Sequence, residues 1–256
     1  MVYLKWFCMG LFYCFTMNGL AIEVDPRSAA GPDSPNWLKA VGKLDVPSQI
    51  QRNGDTENYI EHCTATLISD AKYSDSNIII TAWHCLENYQ DVSKDINFTI
   101  RSADNKTIMR TARRLSNGGD IDHDWAILKL SHPVGSKLAA AMAINKRFNS
   151  ETQVPYALIT MAGYSSDDGL GQGGKALTYH AGCQTGKLIG AQLSSNCLVF
   201  KGASGGPVVL SVYGKEQFSH YLIGIISQGN GADTSTYVPG RVFSDKALRA
   251  IKRYRE

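Results

Sequence analysis

Gly202-Ala203-Ser204-Gly205-Gly206-Pro207 lies between two apolar runs, Leu198-Val199-Phe200 and Val208-Val209-Leu210. Glycines around a serine let the backbone turn sharply, so that its N–H groups can face a bound group. The stretch becomes diagnostic together with two others upstream. Thr81-Ala82-Trp83-His84-Cys85 follows the β-branched run Ile78-Ile79-Ile80, and Asp124 opens the apolar run Trp125-Ala126-Ile127-Leu128-Lys129-Leu130. Each of the three sits where a strand-like run starts or stops.

On either side, short apolar segments alternate with turn clusters at 40–44, 64–68, 78–82, 125–130, 157–161, 207–212 and 221–226. This spacing reads as an all-β chain, in barrels or sandwiches. Helical periodicity is confined to the end, where Ala247, Leu248, Ile251 and Tyr254 recur behind a Ser244-Asp245 cap and predict a helix within 243–256. A less patterned stretch near 131–155 divides the body into halves at 37–135 and 136–242. His84 and Asp124 fall in the first half and Ser204 in the second, so a site in the cleft between two β domains is the economical arrangement.

The 256 residues are 43% hydrophobic and 19% charged, ordinary for a chain with a real core. A formal net charge of +3 is too small to argue for nucleic acid. Lys5, the apolar stretch 6–17 and Gly19-Leu20-Ala21 read as a signal peptide over 1–21, cleaved after Ala21. The apolar stretch is short of the roughly 20 residues of a membrane span. Export, secreted or periplasmic, is expected, without stable membrane insertion. Residues 22–36, rich in Pro, Gly and small residues, read as an exposed leader or propeptide.

Cys8 and Cys14 leave with the signal, and Cys63, Cys85, Cys183 and Cys197 remain. An even count in an oxidising compartment points to two disulfides, with three pairings open. The sequence-local pairs, Cys63–Cys85 and Cys183–Cys197, are the expected ones. Each would contribute roughly 3 kcal/mol in the chain-entropy picture. The cysteines lack CxxC spacing, which argues against zinc, and no metal or cofactor is expected.

The chemistry of His84, Asp124 and Ser204 is complementary. A serine hydroxyl needs a neighbouring base to act as a nucleophile. His84 can take that proton and return it to a leaving group. A buried Asp124 would hold the imidazole in the right tautomer and stabilise its charged form. The N–H groups of Gly202 and Ser204 are the expected oxyanion donors. Asp120-x-Asp122-x-Asp124 has calcium-loop spacing, but Trp125 and Ser131 stand where that loop needs glycine and glutamate. Gly202-x-Ser204-x-Gly206 also fits the α/β-hydrolase elbow, yet only His220 follows the serine and no acid is well placed before it. Gly169-x-Gly171-x-x-Gly174 matches a dinucleotide fingerprint without a βα turn, and reads as a surface loop.

These motifs, in this order, resemble the trypsin/chymotrypsin-like serine endopeptidases over roughly residues 37–254. The segment at 81–85 is similar to the family's Thr-Ala-Ala-His-Cys, 124–130 to Asp-Ile-Ala-Leu-Leu-Lys-Leu, and 202–207 to Gly-Asp-Ser-Gly-Gly-Pro. Cys63 fits the half-cystine that pairs with the one after the histidine. Gly224-Ile225-Ile226-Ser227-Gln228-Gly229 is similar to Gly-Ile-Val-Ser-Trp-Gly, which implies that Ser227, Gln228 and Gly229 line the substrate site and that Ser227 lies near the acid. The resemblance implies two six-stranded antiparallel Greek-key barrels, the site between them, and a C-terminal helix.

The departures carry information too. The family aspartate before the serine, which in animal digestive enzymes receives a new N-terminal ammonium, is Ala203 here, and no Arg-Ile-Val-Gly-Gly activation site is present. The resemblance therefore leans to the bacterial, glutamyl-endopeptidase-like branch, although Ile226 stands where a glutamate-binding histidine is expected. Leu198, where basic-specific members carry aspartate, predicts an apolar pocket wall, with solvated Lys201 close to the site. The expected function is a secreted serine endopeptidase, monomeric, acting on protein or peptide substrates through an acyl-enzyme. A catalytically silent homologue that binds partners and a small-substrate esterase or amidase are the alternatives. Asn97-Phe98-Thr99 and Asn105-Lys106-Thr107 are glycosylation sequons that matter only in a eukaryotic secretory pathway.

Overall fold

The structure is a computed structural model that describes residues 24–70, 75–144, 158–214 and 217–255. The expected signal peptide, residues 1–21, lies outside the described residues. Among those described are fourteen strands, twelve of which form two closed six-stranded antiparallel barrels.

The first barrel joins β2 (Val41–Arg52), β3 (Asp55–Ser69), β4 (Ser76–Thr81), β5 (Ile96–Arg101), β6 (Thr107–Asn117) and β7 (Ala126–Val134), in the order β2-β5-β6-β7-β4-β3 with β2–β3 closing the ring. Period-2 alternation puts Leu44, Val46, Ile96, Phe98 and Ile100 inside, each 1% exposed or less. β4 is buried throughout, which matches its unbroken isoleucine run. Asn53 and Gly54, both at positive φ, make the two-residue turn that sets Arg52 opposite Asp55.

The second barrel joins β9 (Leu158–Gly163), β10 (Thr178–Ile189), β11 (Gln192–Ser195), β12 (Pro207–Gly214), β13 (Gln217–Gly229) and β14 (Ser235–Pro239), in the order β9-β12-β13-β14-β11-β10, closed by β10–β9. Two further two-residue strands sit outside these rings. β1 (Ser28–Ala29) pairs with β10, and β8 (Met142–Ala143) runs parallel to β3. The connecting segment thus stays on the first barrel to Ala143, and Ile144 then bridges to Leu222 of the second.

α1 (Ser244–Tyr254) returns to the first barrel and packs on β4, burying Ala247, Ala250 and Ile251. Asn77 donates to the Tyr254 carbonyl at 3.0 Å, and Arg255 pairs with Asp70. The expected cap differs. Phe243 occupies the N-cap position, and Ser244 donates its hydroxyl back to Gly240 O at 2.5 Å. The preceding Gly240–Val242 turn offers that carbonyl, so the hydroxyl closes the turn rather than meeting an N–H of the helix.

Candidate active site

His84 is delivered by the end of β4. The chain leaves Thr81 and makes a single 3-10 turn, His84–Leu86, in which the Leu86 N–H bonds Trp83 O at 2.8 Å. The Cys63–Cys85 disulfide pins this turn to β3. Asp124 is fully buried just ahead of β7. Its carboxylate accepts the backbone N–H of His84 at 2.9 Å on one oxygen and His84 Nδ1 at 2.8 Å on the other. A carboxylate oxygen can only accept, so Nδ1 carries the proton and Nε2 is left as the acceptor. Asp120, four residues before Asp124, instead receives the His123 N–H at 2.7 Å on the surface.

Ser227 adds a third tie to that carboxylate. A register shift between Ile226 and Gln228 makes a bulge in the β13–β14 pairing, and bulges re-aim the intervening side chain. The buried Ser227 hydroxyl donates to Asp124 Oδ2 at 2.5 Å. Gln192 from β11 donates in turn to Ser227 Oγ at 3.0 Å and to the Ile121 carbonyl. Nothing in the local sequence around Gln192 signals this position, because the contact is made across the barrel.

Ser204 rides on a tight turn between the barrels, its hydroxyl donating to Ser227 O at 3.2 Å. Within the turn, the N–H groups of Ala203, Gly205 and Gly206 are engaged by Phe200 O, Ile226 O and Ala203 O. Among the described residues, no acceptor meets the N–H of Gly202 or of Ser204. Their orientation has a cause. The Lys201 carbonyl accepts from Ser166 N at 2.7 Å and Ser166 Oγ at 2.8 Å. In a planar trans peptide, the C=O of Lys201 and the N–H of Gly202 point opposite ways. Fixing the carbonyl on the Ser166 side therefore turns the Gly202 N–H away from it.

Thr64 on β3 braces the same turn from the first barrel. Its hydroxyl donates to Gly202 O at 2.7 Å and accepts from Tyr164 N at 2.9 Å, while its N–H bonds Ser204 O at 2.9 Å. Gly202 has φ +91°, and a Cβ there would sit 2.4 Å from Tyr164 O. Gly205 has φ +82° and would press a Cβ to 2.1 Å from Thr81 Oγ1. Both positions need glycine for backbone conformation and for close approach.

Profile comparison matches residues 43–245 to trypsin. The chain belongs to the trypsin family of serine endopeptidases. Among solved structures, it is similar to a thermostable serine protease, AL20, from an extremophilic microorganism, at 17% identity and a TM-score of 0.59, over 85% of this chain and 99% of that one. At that identity the likeness speaks for the fold. No curated protein matches the chain by sequence.

In this trypsin-family chain, Ser227 is buried on Asp124, and a Cβ on Gly229 would lie 2.6 Å from Val199 O, which sets the end of β13 against the 198–200 run. Leu198 is half-buried, and Gln228 and Gly229 are exposed. Lys201 is solvated, its side chain 79% exposed and 3.8 Å from Glu61. Leu198 donates its N–H to His180 Nδ1 at 2.8 Å, so a histidine from β10 supports the wall expected to be apolar. Burial holds the His180 imidazole below its ordinary pKa, which favours the neutral acceptor. The Cys183–Cys197 disulfide sets the start of this wall. His84 and His180 both adjoin cysteine sulfur, but those sulfurs are bonded to each other and present no thiolate to a metal. A groove of about 550 Å³ runs beside the turn, lined by Tyr59, Ile60, Glu61, His62, Ser166 and Lys201. No helix among the described residues is long and apolar enough to cross a membrane.

Proposed function

We propose that the protein is an exported serine endopeptidase in which Ser204 is the nucleophile, His84 the general acid and base, Asp124 its orienting carboxylate, and the N–H groups of Gly202 and Ser204 the oxyanion donors. The observation that carries this reading is the Asp124 carboxylate. It is fully buried, yet meets His84 through both the backbone and Nδ1, an arrangement that leaves Nε2 free to accept a proton. In the substrate complex, rotation about χ1 takes the Ser204 hydroxyl from Ser227 O to the imidazole, a tightening common when substrate binds. Two idle N–H groups in an otherwise satisfied turn support the oxyanion role.

Attack on the scissile carbonyl forms the acyl-enzyme and releases the amine, which takes its proton from His84. Water then completes the cycle through the same imidazole. The groove along Tyr59–His62 supports a polypeptide rather than a small ester as substrate. The half-buried Leu198 favours an uncharged side chain over lysine or arginine. Buried Ala203, where a switch carboxylate would otherwise stand, supports the glutamyl-endopeptidase-like affinity. The two disulfides fit an oxidising compartment reached by a signal over residues 1–21.

Labelling by a fluorophosphonate, lost in Ser204→Ala, together with casein digestion and a peptide-library cleavage profile, tests the assignment. Labelling without cleavage of any peptide would favour the small-substrate reading, and absence of labelling the silent homologue.

A further inference from the structure

The segment just before the first barrel carries a buried cation. The Arg27 side chain is 2% exposed. Its guanidinium donates to both oxygens of Asp167, each at 2.8 Å, and grips Asp25 through Nη2 at 2.6 Å and Nε at 3.0 Å. The same group stacks over the Phe200 ring at 4.3 Å. β1 and the Ala30 N–H, bonded to Leu177 O at 2.8 Å, hold this segment along β10. Burying a guanidinium is costly unless it is paired and hydrogen-bonded, and here two carboxylates meet its fork.

What Arg27 fastens leads directly to the oxyanion turn. Asp167 lies in the loop 165–174, where it also receives the Gly171 N–H at 3.2 Å. The residue before it is Ser166, whose N–H and hydroxyl fix Lys201 O and so aim the Gly202 N–H. Phe200, under the guanidinium, begins the turn itself. Both the loop and the ring that border Lys201 and Gly202 are therefore tied to one side chain from outside the barrels.

We infer that Arg27 is a positioning residue for the oxyanion turn, and that its segment stays attached in the active protein. Without it, Asp167 loses its counter-charge, the 165–174 loop loses its anchor, and the Lys201–Gly202 peptide is free to rotate. This rests on the acyl-transfer reading of Ser204.

The full-length chain is produced by secretion and labelled with a fluorophosphonate, and the labelled species is identified by intact mass. Hydrolysis of a peptide substrate is then measured for wild type, R27M, R27K, D167N and R27M/D167N. The labelled wild-type species is expected to retain Arg27. R27M should lower kcat about 10- to 100-fold, less than loss of a whole oxyanion donor, with KM within about twofold. D167N should match it, the double variant should fall no further, and R27K should recover part of the loss because it restores charge without the fork. A labelled wild-type species that begins after Arg27, or a folded R27M variant with wild-type kcat, would overturn the inference while leaving the nucleophile intact. If R27M does not fold, D167N and the retained terminus decide the matter. Failure of the wild type to label at all would remove the acyl-transfer reading and the inference together.

Discussion

In the first barrel, Leu44, Leu67, Ile78, Ile79, Ile80, Ile96, Phe98 and Ile100 fill one interior, and that cluster continues across the interface to Val209, Leu222 and Ile225. In the second, the separate apolar cluster is smaller, built around Ile159, Met161, Val199, Val208, Ile226 and Tyr237. Polar ties do more there: the Arg27 ion pairs, the Ser166 bonds to Lys201 O, the His180 bond to Leu198, and a disulfide. The two regions hold different parts of the chemistry. The well-packed first barrel carries His84 and Asp124, which a disulfide and hydrogen bonds to the Asp124 carboxylate then set. Hydrogen bonds and ions fix backbone N–H groups, whose direction packing alone specifies poorly.

The contrast predicts two kinds of damage. At one extreme, Ser204→Ala should lower kcat by about 10⁴-fold or more without changing the melting temperature. A variant that melts early would show that the hydroxyl holds the barrels together. Next, Ile79→Ala in the first barrel should cost about 2–5 kcal/mol of stability by denaturant titration, while kcat at low temperature stays near wild type. A large fall in kcat with little loss of stability would erase the distinction. Thr64→Val, which strips the hydroxyl between Gly202 O and Tyr164 N, should cost about 1–3 kcal/mol and lower kcat as well, because it acts where the regions meet. Ser227→Ala should reduce kcat by about tenfold and cost about 1–3 kcal/mol, because the buried Asp124 carboxylate and Gln192 each lose a partner.

Acid should act weakly and on the second region. Arg27 holds the carboxyls of Asp25 and Asp167 below the ordinary value of 3.8. Their contribution is complete above that value and is lost as pH falls through the lower folded values. The melting difference between wild type and Asp167→Asn should be constant above about pH 5 and shrink below 3.8. A difference that grows on acidification would contradict the pairing.

Much of the fold was legible because its signals are local. The isoleucine run at 78–80 marks β4, and Ser204, His84 and Asp124 each stand beside a strand-like run. Asn53-Gly54 was an available hairpin signal for the β2–β3 turn. The cysteine pairs closed short loops and could be read by proximity in sequence. What stayed hidden depends on long-range pairing. Arg27 meets Asp167 across 140 residues, Thr64 meets Gly202 across 138, and Gln192 meets Ser227 across 35. Thr64 and Gln192 are ordinary strand residues by composition, and only barrel closure brings them to the site. Ser244 looked like a helix cap because the sequence could not reveal the Gly240 carbonyl waiting behind it.

The chain's two ends are exchanged between its halves. β1, from the N-terminal side, lies on the second barrel, and α1, from the C-terminal side, lies on the first. A single cut between the two barrels would therefore not release two free pieces. The fragments would co-purify, each wearing the other's tail, and either half expressed by itself would expose a groove meant for its missing counterpart.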